Sequence, residues 1–498
     1  MSDKVIIIGS GLGGLTCGYI LQKSGYDVTI LEQGTQIGGC LQCFNRRGAK
    51  FETGMHFIGS ASPEQTMGKI MRYFGLTDSV QLSALDHSGY NTVSLAGDKF
   101  RFPNGREAFL ERFGGYFPHQ KDALVKYIEI IDKIAASSAL NSLTSERRDV
   151  IADTEYHTLS INAVLDSLFT DELLKNALVG DLPLYAAQID KTPFSHHAYI
   201  MDFYNNSAFR VVGGSDAIAN SLAASIQQMG GRIVPRKQVT KVCCDDIKAT
   251  GVITSDEEFY GADYVISTIH PNRLLEMLDT RLIRPAFRNR INAIPQTASC
   301  FAVYLKFKEQ AMPYMNTNYY GYAAATPWNC ENYTAENWPK GFLYMHMCSQ
   351  DKAQYAQSGV LISYMNLEDV AKWNNGKIGR RGEEYEQFKR EHALRLIAEA
   401  DKHHPGLRDA IECYYTSTPL TYLDYTGTEA GSMYGVAKDV SLGAAGRVPY
   451  RTKIPNLLLA GQNVNSHGMM GVIVGTIVTC SELVSAQTIY KQINDSNR

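Results

Sequence analysis

VIIIGSGLGGLTCGYILQKSGYDVTILE, residues 5–32, decides the fold. An apolar run from Val5 to Ile8 is followed by glycines at 9, 11 and 14, a helix-like segment from Leu15 to Lys23, a second apolar run from Val28 to Leu31, and an acid, Glu32. Strand, glycine turn, helix, strand and acid in this order are what a bound dinucleotide needs. Gly9 permits the tight turn, Gly11 lets the backbone approach a pyrophosphate, and Gly14 lets the helix lie close on the strand, while the helix N-terminus turns free N–H groups toward the phosphates. Glu32 lies at the offset at which an acid accepts from a ribose hydroxyl. Ser10, Leu12 and Gly13 inside the turn, and Gln33 beside the acid, complete this set of cofactor contacts.

Far along the chain, residues 457–463 read LLLAGQN, a late strand with a glycine at its end. The two ends of the chain are expected to complete one site. Between them the chain is too long, at 498 residues, for one ordinary core, and two or three domains of roughly 100–250 residues are expected. A net charge of −3 gives no field that seeks polyanions, so nucleic acid is not expected as a partner. Ten cysteines are scattered without a framework and no leader pattern precedes the first strand, so reduced thiols in a cytoplasmic protein are expected. The most apolar late run, Met469 to Cys480, is interrupted by Gly471 and Gly475 and is too short to cross a bilayer, which predicts a buried helix.

Alternating strand and helix signals occupy residues 4–58, 209–269 and 454–489. The middle stretch predicts a helix over Asp216 to Met229, strands at Arg232 to Val234 and Val239 to Val242, and a hairpin-like meander through Gly251 to Ile253 and Tyr264 to Ser267. These stretches predict one discontinuous domain of residues 1–106, 201–275 and 440–498. Residues 107–200, mostly helical in pattern, and 276–439 are expected to form a substrate domain. Its aromatic-rich segment includes Tyr304, Tyr314, Tyr319, Tyr320, Trp328, Trp338 and Tyr344. Two readings stay open: ordinary sheet core, or the wall of a slot for an extended apolar ligand. The charge-rich helix near Gly382 to Asp401 reads as solvated surface, and Lys402-His403-His404 lacks the spacing of a metal site.

After Glu32 come Gly38-Gly39-Cys40-Leu41 and then FETGMHFIG, residues 51–59. This run resembles the flavin amine oxidase-like superfamily and, within it, the phytoene desaturase, carotenoid isomerase and retinol saturase group. Phe57 stands where that group has a tyrosine. The late run AGQNV at 460–464 and GMMG at 468–471 is similar to the flavin-closing motif of the retinol saturases, as are TPLT at 418–421 and GSMYG at 431–435. The resemblance implies an α/β protein with a discontinuous Rossmann-type FAD-binding domain and an inserted mixed α+β substrate domain. It implies FAD as cofactor, with Gly54, Met55 and His56 near the flavin, Val239 at the adenine, Gly461 and Gln462 at the ribityl and phosphate region, and Met470, Gly471 and Val472 at the pyrimidine edge. N–H groups at such an edge stabilise negative charge on a reduced flavin. Cys40-x-x-Cys43 lies within the glycine-pair loop without a second ligand pair, so packing is expected and no metal site. Cys243 and Cys244, adjacent in a strand, point to opposite faces.

The activity implied is that of an FAD-dependent oxidoreductase acting on C=C or C–C bonds of an apolar polyene or isoprenoid-like lipid. His56, Tyr434 and His467 are the candidates for acid or flavin-facing polar groups. Each has a plainer alternative: a packed residue under the flavin, a core hydroxyl with a backbone partner, and a loop residue. No second strand–glycine–helix unit offers an NAD(P) site, so an external electron donor or acceptor is expected. A lipid substrate also implies peripheral contact with a membrane surface. Two rivals share the scaffold: an FAD-dependent amine oxidase, and a non-enzymatic prenyl- or lipid-binding protein, against which the intact phosphate glycines speak.

Overall fold

The computed structural model describes residues 2–138, 143 and 155–498. The strand that opens the chain, Lys4–Ile8, becomes the centre of a five-stranded parallel sheet. Side by side run Arg232–Val234, Asp27–Leu31, Lys4–Ile8, Tyr264–Ser267 and Leu457–Leu459. Its side chains alternate between two cores: Val5 and Ile7 turn to one face with Leu15, Leu222 and Ile473, and Ile6 and Ile8 to the other with Val252, Leu274 and Ile291. A parallel sheet buried on both faces needs such unbroken apolar strands, and each Val or Ile so buried contributes about 1.5–3 kcal/mol.

Helices Leu12–Lys23, Asp216–Gln228 and Gly468–Cys480 cover the first face. The two ends of the chain interlock here. A Cβ on Gly13 would sit 3.0 Å from the Gly461 Cα, and about one turn on, the Thr16 and Thr476 hydroxyls lie 3.0 Å apart. The late apolar run is thus the buried helix its glycines and length predict.

The second sheet has seven strands, in the order Ile411–Ser417, Cys300–Phe307, Ser358–Tyr364, Gly341–His346, Asn318–Tyr322, Asn91–Leu95 and Asp98–Phe102. One face meets the helices Arg106–Tyr116, Lys121–Ser137, Ile161–Leu168 and Phe194–Asn206 through residues such as Phe113, Tyr127, Val164 and Phe194. The helical character expected over 107–200 holds for its described residues; 139–142 and 144–154 lie outside them.

Several expectations need correction. Residues 91–102, placed with the cofactor domain, belong to the seven-stranded sheet, because Asn91–Leu95 pairs parallel with Asn318–Tyr322. Residues 276–298, placed with the substrate domain, carry Leu278, Ile283, Ile291 and Ile294 into the core shared with Ile6 and Ile8. Tyr264–Ser267 does not continue the antiparallel meander of Val239–Cys244, Ala249–Thr254 and Phe259–Gly261; it crosses to pair parallel with Lys4–Ile8. The helix Glu383–His403 is amphipathic rather than merely solvated, burying Tyr385, Ala393, Leu396, Ile397 and Ala400 against the outer face of the second sheet.

Candidate functional site

Between the two sheets runs a cavity of about 1210 Å³. Single small-molecule sites occupy ~300–1,000 Å³, so the space suits a cofactor and a second molecule together. The cofactor residues expected from sequence gather on its wall: Gly9, Ser10, Gly11, Leu12, Gly13, Glu32, Gln33, Gly38, Gly39, Cys40, Leu41, Gly54, Met55, His56, Val239, Gly461, Gln462, Met470, Gly471 and Val472. Gly14 is absent from the wall, for the reason its spacing implies: its Cβ would collide with the Gly9 carbonyl, so the residue lies under the turn.

The glycine loops form a cradle that side chains would fill. Gly9 has φ +96° and Gly38 and Gly39 have φ +109° and +54°, conformations that only glycine adopts freely. A Cβ on Gly39 would lie 3.0 Å from Gly11 Cα, whereas one on Gly11 meets nothing nearer than 4.0 Å, so the space over Gly11 is open cavity. The first N–H groups of the helix Leu12–Lys23 have no intrahelical acceptors and face this opening. Glu32 ties the turn down: its carboxylate accepts from Ser10 N at 2.9 Å, Ser10 Oγ at 2.6 Å and Gly34 N at 2.7 Å. Oε1, which takes only the Gly34 N–H, retains acceptor capacity for a ribose hydroxyl. Glycine cradle, helix start and acid therefore fit a dinucleotide.

At the other end of the cradle the helix Gly468–Cys480 begins, with His467 as N-cap. Its unbonded N–H groups are those of Gly468, Met469 and Met470. Of the expected triple Met470 to Val472, only Met470 offers a free donor. Gly471 is small for packing, since a Cβ there would lie 2.6 Å from that of Ser466.

His56 is buried in the cavity wall, with Nδ1 3.3 Å from Glu52 Oε2. Its backbone carbonyl accepts from the guanidinium of Arg210 at 3.3 Å. Arg210 is itself almost fully buried and has no acid partner among the described residues; it also donates to Thr317 O and to Asn318 Oδ1 at 2.9 Å. Sequence reasoning missed Arg210, whose contact with His56 spans 154 positions. It also gave no role to Glu52, though the i, i+4 spacing to His56 was a signal.

Tyr434 and His467 stack with ring centroids 4.2 Å apart. The Tyr434 hydroxyl donates to Pro183 O at 3.0 Å, and burial pushes its pKa up. Its proton is committed to a backbone carbonyl, the plainer of the two readings. His467 is a half-buried loop residue, the N-cap of the helix Gly468–Cys480, and it lines the cavity; burial and neighbouring His196 and Lys438 hold its pKa well below the usual imidazole value.

The apolar wall comes from the inner face of the second sheet: Tyr322, Leu343, Met345, Ile362 and Tyr364, joined by Tyr422 and Tyr204. The aromatics singled out from sequence do not line it. Tyr319, Trp338 and Tyr344 pack under the helix Glu383–His403 on the outer face, while Tyr304, Tyr320 and Trp328 are core beneath the inner one, and Tyr314 packs at the edge of the outer core. For these residues the sheet-core reading is correct. Cys40 and Cys43 are free thiols; burial raises both, Cys43 to about 11.

A family model for flavin containing amine oxidoreductase matches residues 12–477. All-trans-retinol 13,14-reductase of Rattus norvegicus is 26% identical over 98% of this chain and 86% of its own. Prolycopene isomerase 1, chloroplastic, of an Oncidium hybrid cultivar is 23% identical over 94% of this chain and 82% of its own. Among solved structures, an oxidoreductase from Methanosarcina mazei superposes with a TM-score of 0.66 at 15% identity, covering 96% of this chain and all of that one.

Proposed function

The chain belongs to the flavin containing amine oxidoreductases, and from that premise we propose that it is an FAD-dependent oxidoreductase acting on carbon–carbon double or single bonds of an apolar polyene or isoprenoid-like lipid. The observation that carries the proposal is the continuity of one cavity from the glycine cradle to the apolar face of the second sheet. Relatives of matching length act, by their names, on retinol and on prolycopene.

When bound, FAD supplies hydride transfer to or from a C–C bond. The residues Gly9 to Gly13 and Gly38 to Leu41 would hold its phosphates, Glu32 a ribose and Val239 the adenine. Met470 and its two predecessors would present N–H groups to the ring system, where they stabilise negative charge. Tyr322, Ile362 and Tyr364 lay an extended chain along the sheet and exclude water from the reacting bond. His56 is the proton-holding group: Glu52 orients its Nδ1 and Arg210 fixes its backbone, leaving Nε2 as the atom that delivers or takes a proton. Tyr434 and His467 serve as wall. Electrons pass to or from an external donor or acceptor, and a lipid substrate brings the protein to a membrane surface; among the described residues no helix is long and apolar enough to cross one.

An amine oxidase on the same scaffold is less supported, because the sequence relatives named above act on polyenes. The test is to incubate the flavin-loaded protein with retinol, with prolycopene and with a panel of neutral amines, following polyene products and hydrogen peroxide. A changed double-bond pattern in a polyene supports the proposal; peroxide release with amines and an unaltered polyene would overturn it.

A further inference from the structure

Building on the apolar-lipid reading above, we propose that the substrate carries a terminal anion, of which a carboxylate is the plainest form, and that Lys438, Arg447 and His196 receive it at the outer end of the cavity. All three residues line the cavity together with His467. They come from two separate elements, the helix Phe194–Asn206 and the segment that follows Tyr434.

Among the described residues the Lys438 ammonium has neither a hydrogen bond nor an ion pair, and neither has the Arg447 guanidinium. His196 Nε2 is buried without a hydrogen-bond partner among the described residues. The neighbouring acid, Asp439, lines the same cavity but makes no ion pair with these cations; its Oδ1 accepts from Ser441 N at 2.8 Å and Ser441 Oγ at 2.6 Å. A half-buried ammonium such as that of Lys438 without counter-charge is unusual, since removing a charge from water is costly unless it is paired. Burial and Arg447 lower the Lys438 ammonium to about 8, and burial, with a smaller contribution from Lys438, lowers His196 and His467. Lys438 and Arg447 thus repel one another across one space, beside a neutral His196, and an anion would pair with both cations.

The order of these groups gives a direction. Arg447 is exposed, Lys438 half-buried, and the half-buried His467 stacks on Tyr434 in the cavity wall. An anion between Arg447 and Lys438 would leave its apolar tail running inward past Tyr434 to Tyr364 and Tyr322. A neutral alcohol or hydrocarbon would leave the cations uncompensated.

Three probes of one chain with different heads test this: retinol, retinoate and retinyl phosphate, titrated into the flavin-loaded protein while its visible spectrum is followed. The expected result is that retinoate binds at least about tenfold more tightly than retinol, as a charge-assisted contact predicts. Lys438→Gln should abolish that difference while leaving retinol affinity unchanged, and Lys438→Arg should retain it. Preference for retinyl phosphate over retinoate, lost in the same variant, would keep the anion site and assign it to a phosphate. Equal binding of retinol and retinoate, or a preference that survives Lys438→Gln, would overturn the inference while leaving the polyene reading intact. Binding of none of the three would overturn both.

Discussion

Replacing Gly14 with alanine should damage the fold, whereas the same change at Gly11 should damage only the site. A Cβ on Gly14 would sit 3.0 Å from the Gly9 carbonyl carbon, closer still to its oxygen, and 3.3 Å from Thr268 Oγ1, against ~3.5–4.0 Å at an ordinary contact. The obstacle is backbone that cannot swing aside. Gly9 N donates to Leu31 O, its φ is +96°, and Thr268 Oγ1 donates to both Ile8 O and Gly9 O. The helix must therefore lift from the central strand, at a cost of about 1–3 kcal/mol, or ~2–10 °C in Tm for a body of this size. Gly11 has φ −63° and a nearest neighbour 4.0 Å from its would-be Cβ, so alanine there changes stability by less than about 1 kcal/mol. Its methyl group would instead stand in the cofactor space. Thermal unfolding of the flavin-free proteins, paired with flavin titration, separates the two effects. Gly14→Ala should lower the apoprotein Tm, and Gly11→Ala should spare it while weakening flavin binding at least tenfold. An unchanged apoprotein Tm in Gly14→Ala would refute the packing argument.

Three further outcomes follow from the site and its surroundings. His56→Asn should lower turnover by about 10²–10⁴ with flavin content retained, measured by product formation per bound flavin; unaltered turnover would remove His56 from the proton path. Tyr434→Phe loses one hydrogen bond to Pro183 O, worth about 0.5–1.5 kcal/mol, and should keep turnover within the same order of magnitude; a collapse like that of His56→Asn would show that its hydroxyl takes part in proton transfer. Asp181 is buried among tyrosines with Oδ1 unpartnered among the described residues, and burial pushes its carboxyl up from 3.8 to about 7. The folded protein then binds more protons than the unfolded chain between those values, so stability is highest below about pH 4 as far as this group is concerned and falls by several kcal/mol as pH rises to about 7. Asp181→Asn should flatten that slope and raise Tm at pH 8, which a pH series of melting curves reads directly.

The cofactor cradle was legible because its determinants are local. Strand, turn, helix and acid fall within residues 5–32, and Gly9 and Gly14 are demanded by φ and by contact rather than by distant packing. The late half was legible for the same reason, since Leu457–Leu459 and the glycine-broken helix after it are continuous in sequence. The domain edges were not. Nothing near Asn91 announces its parallel pairing with Asn318, more than two hundred positions away. Aromatic density showed where a sheet would be, but a period of two puts Tyr319 and Tyr344 on the far face and Tyr322 on the cavity. Which face meets the cavity is set by the helices that cover the other, so the slot could be expected without its residues being named. Arg210 and the meeting of His196 with Lys438 depend on tertiary proximity alone.

The most direct test of the central claim, that one cavity lays a polyene bond against the flavin, is anaerobic mixing of the reduced, flavin-loaded protein with retinoate or retinol, with flavin and polyene absorbance recorded together. The account predicts that the flavin bands return in step with a blue shift of the polyene spectrum, or that the polyene changes its isomer pattern while the flavin stays reduced. A polyene spectrum and isomer composition both unchanged in the presence of reduced flavin would contradict it.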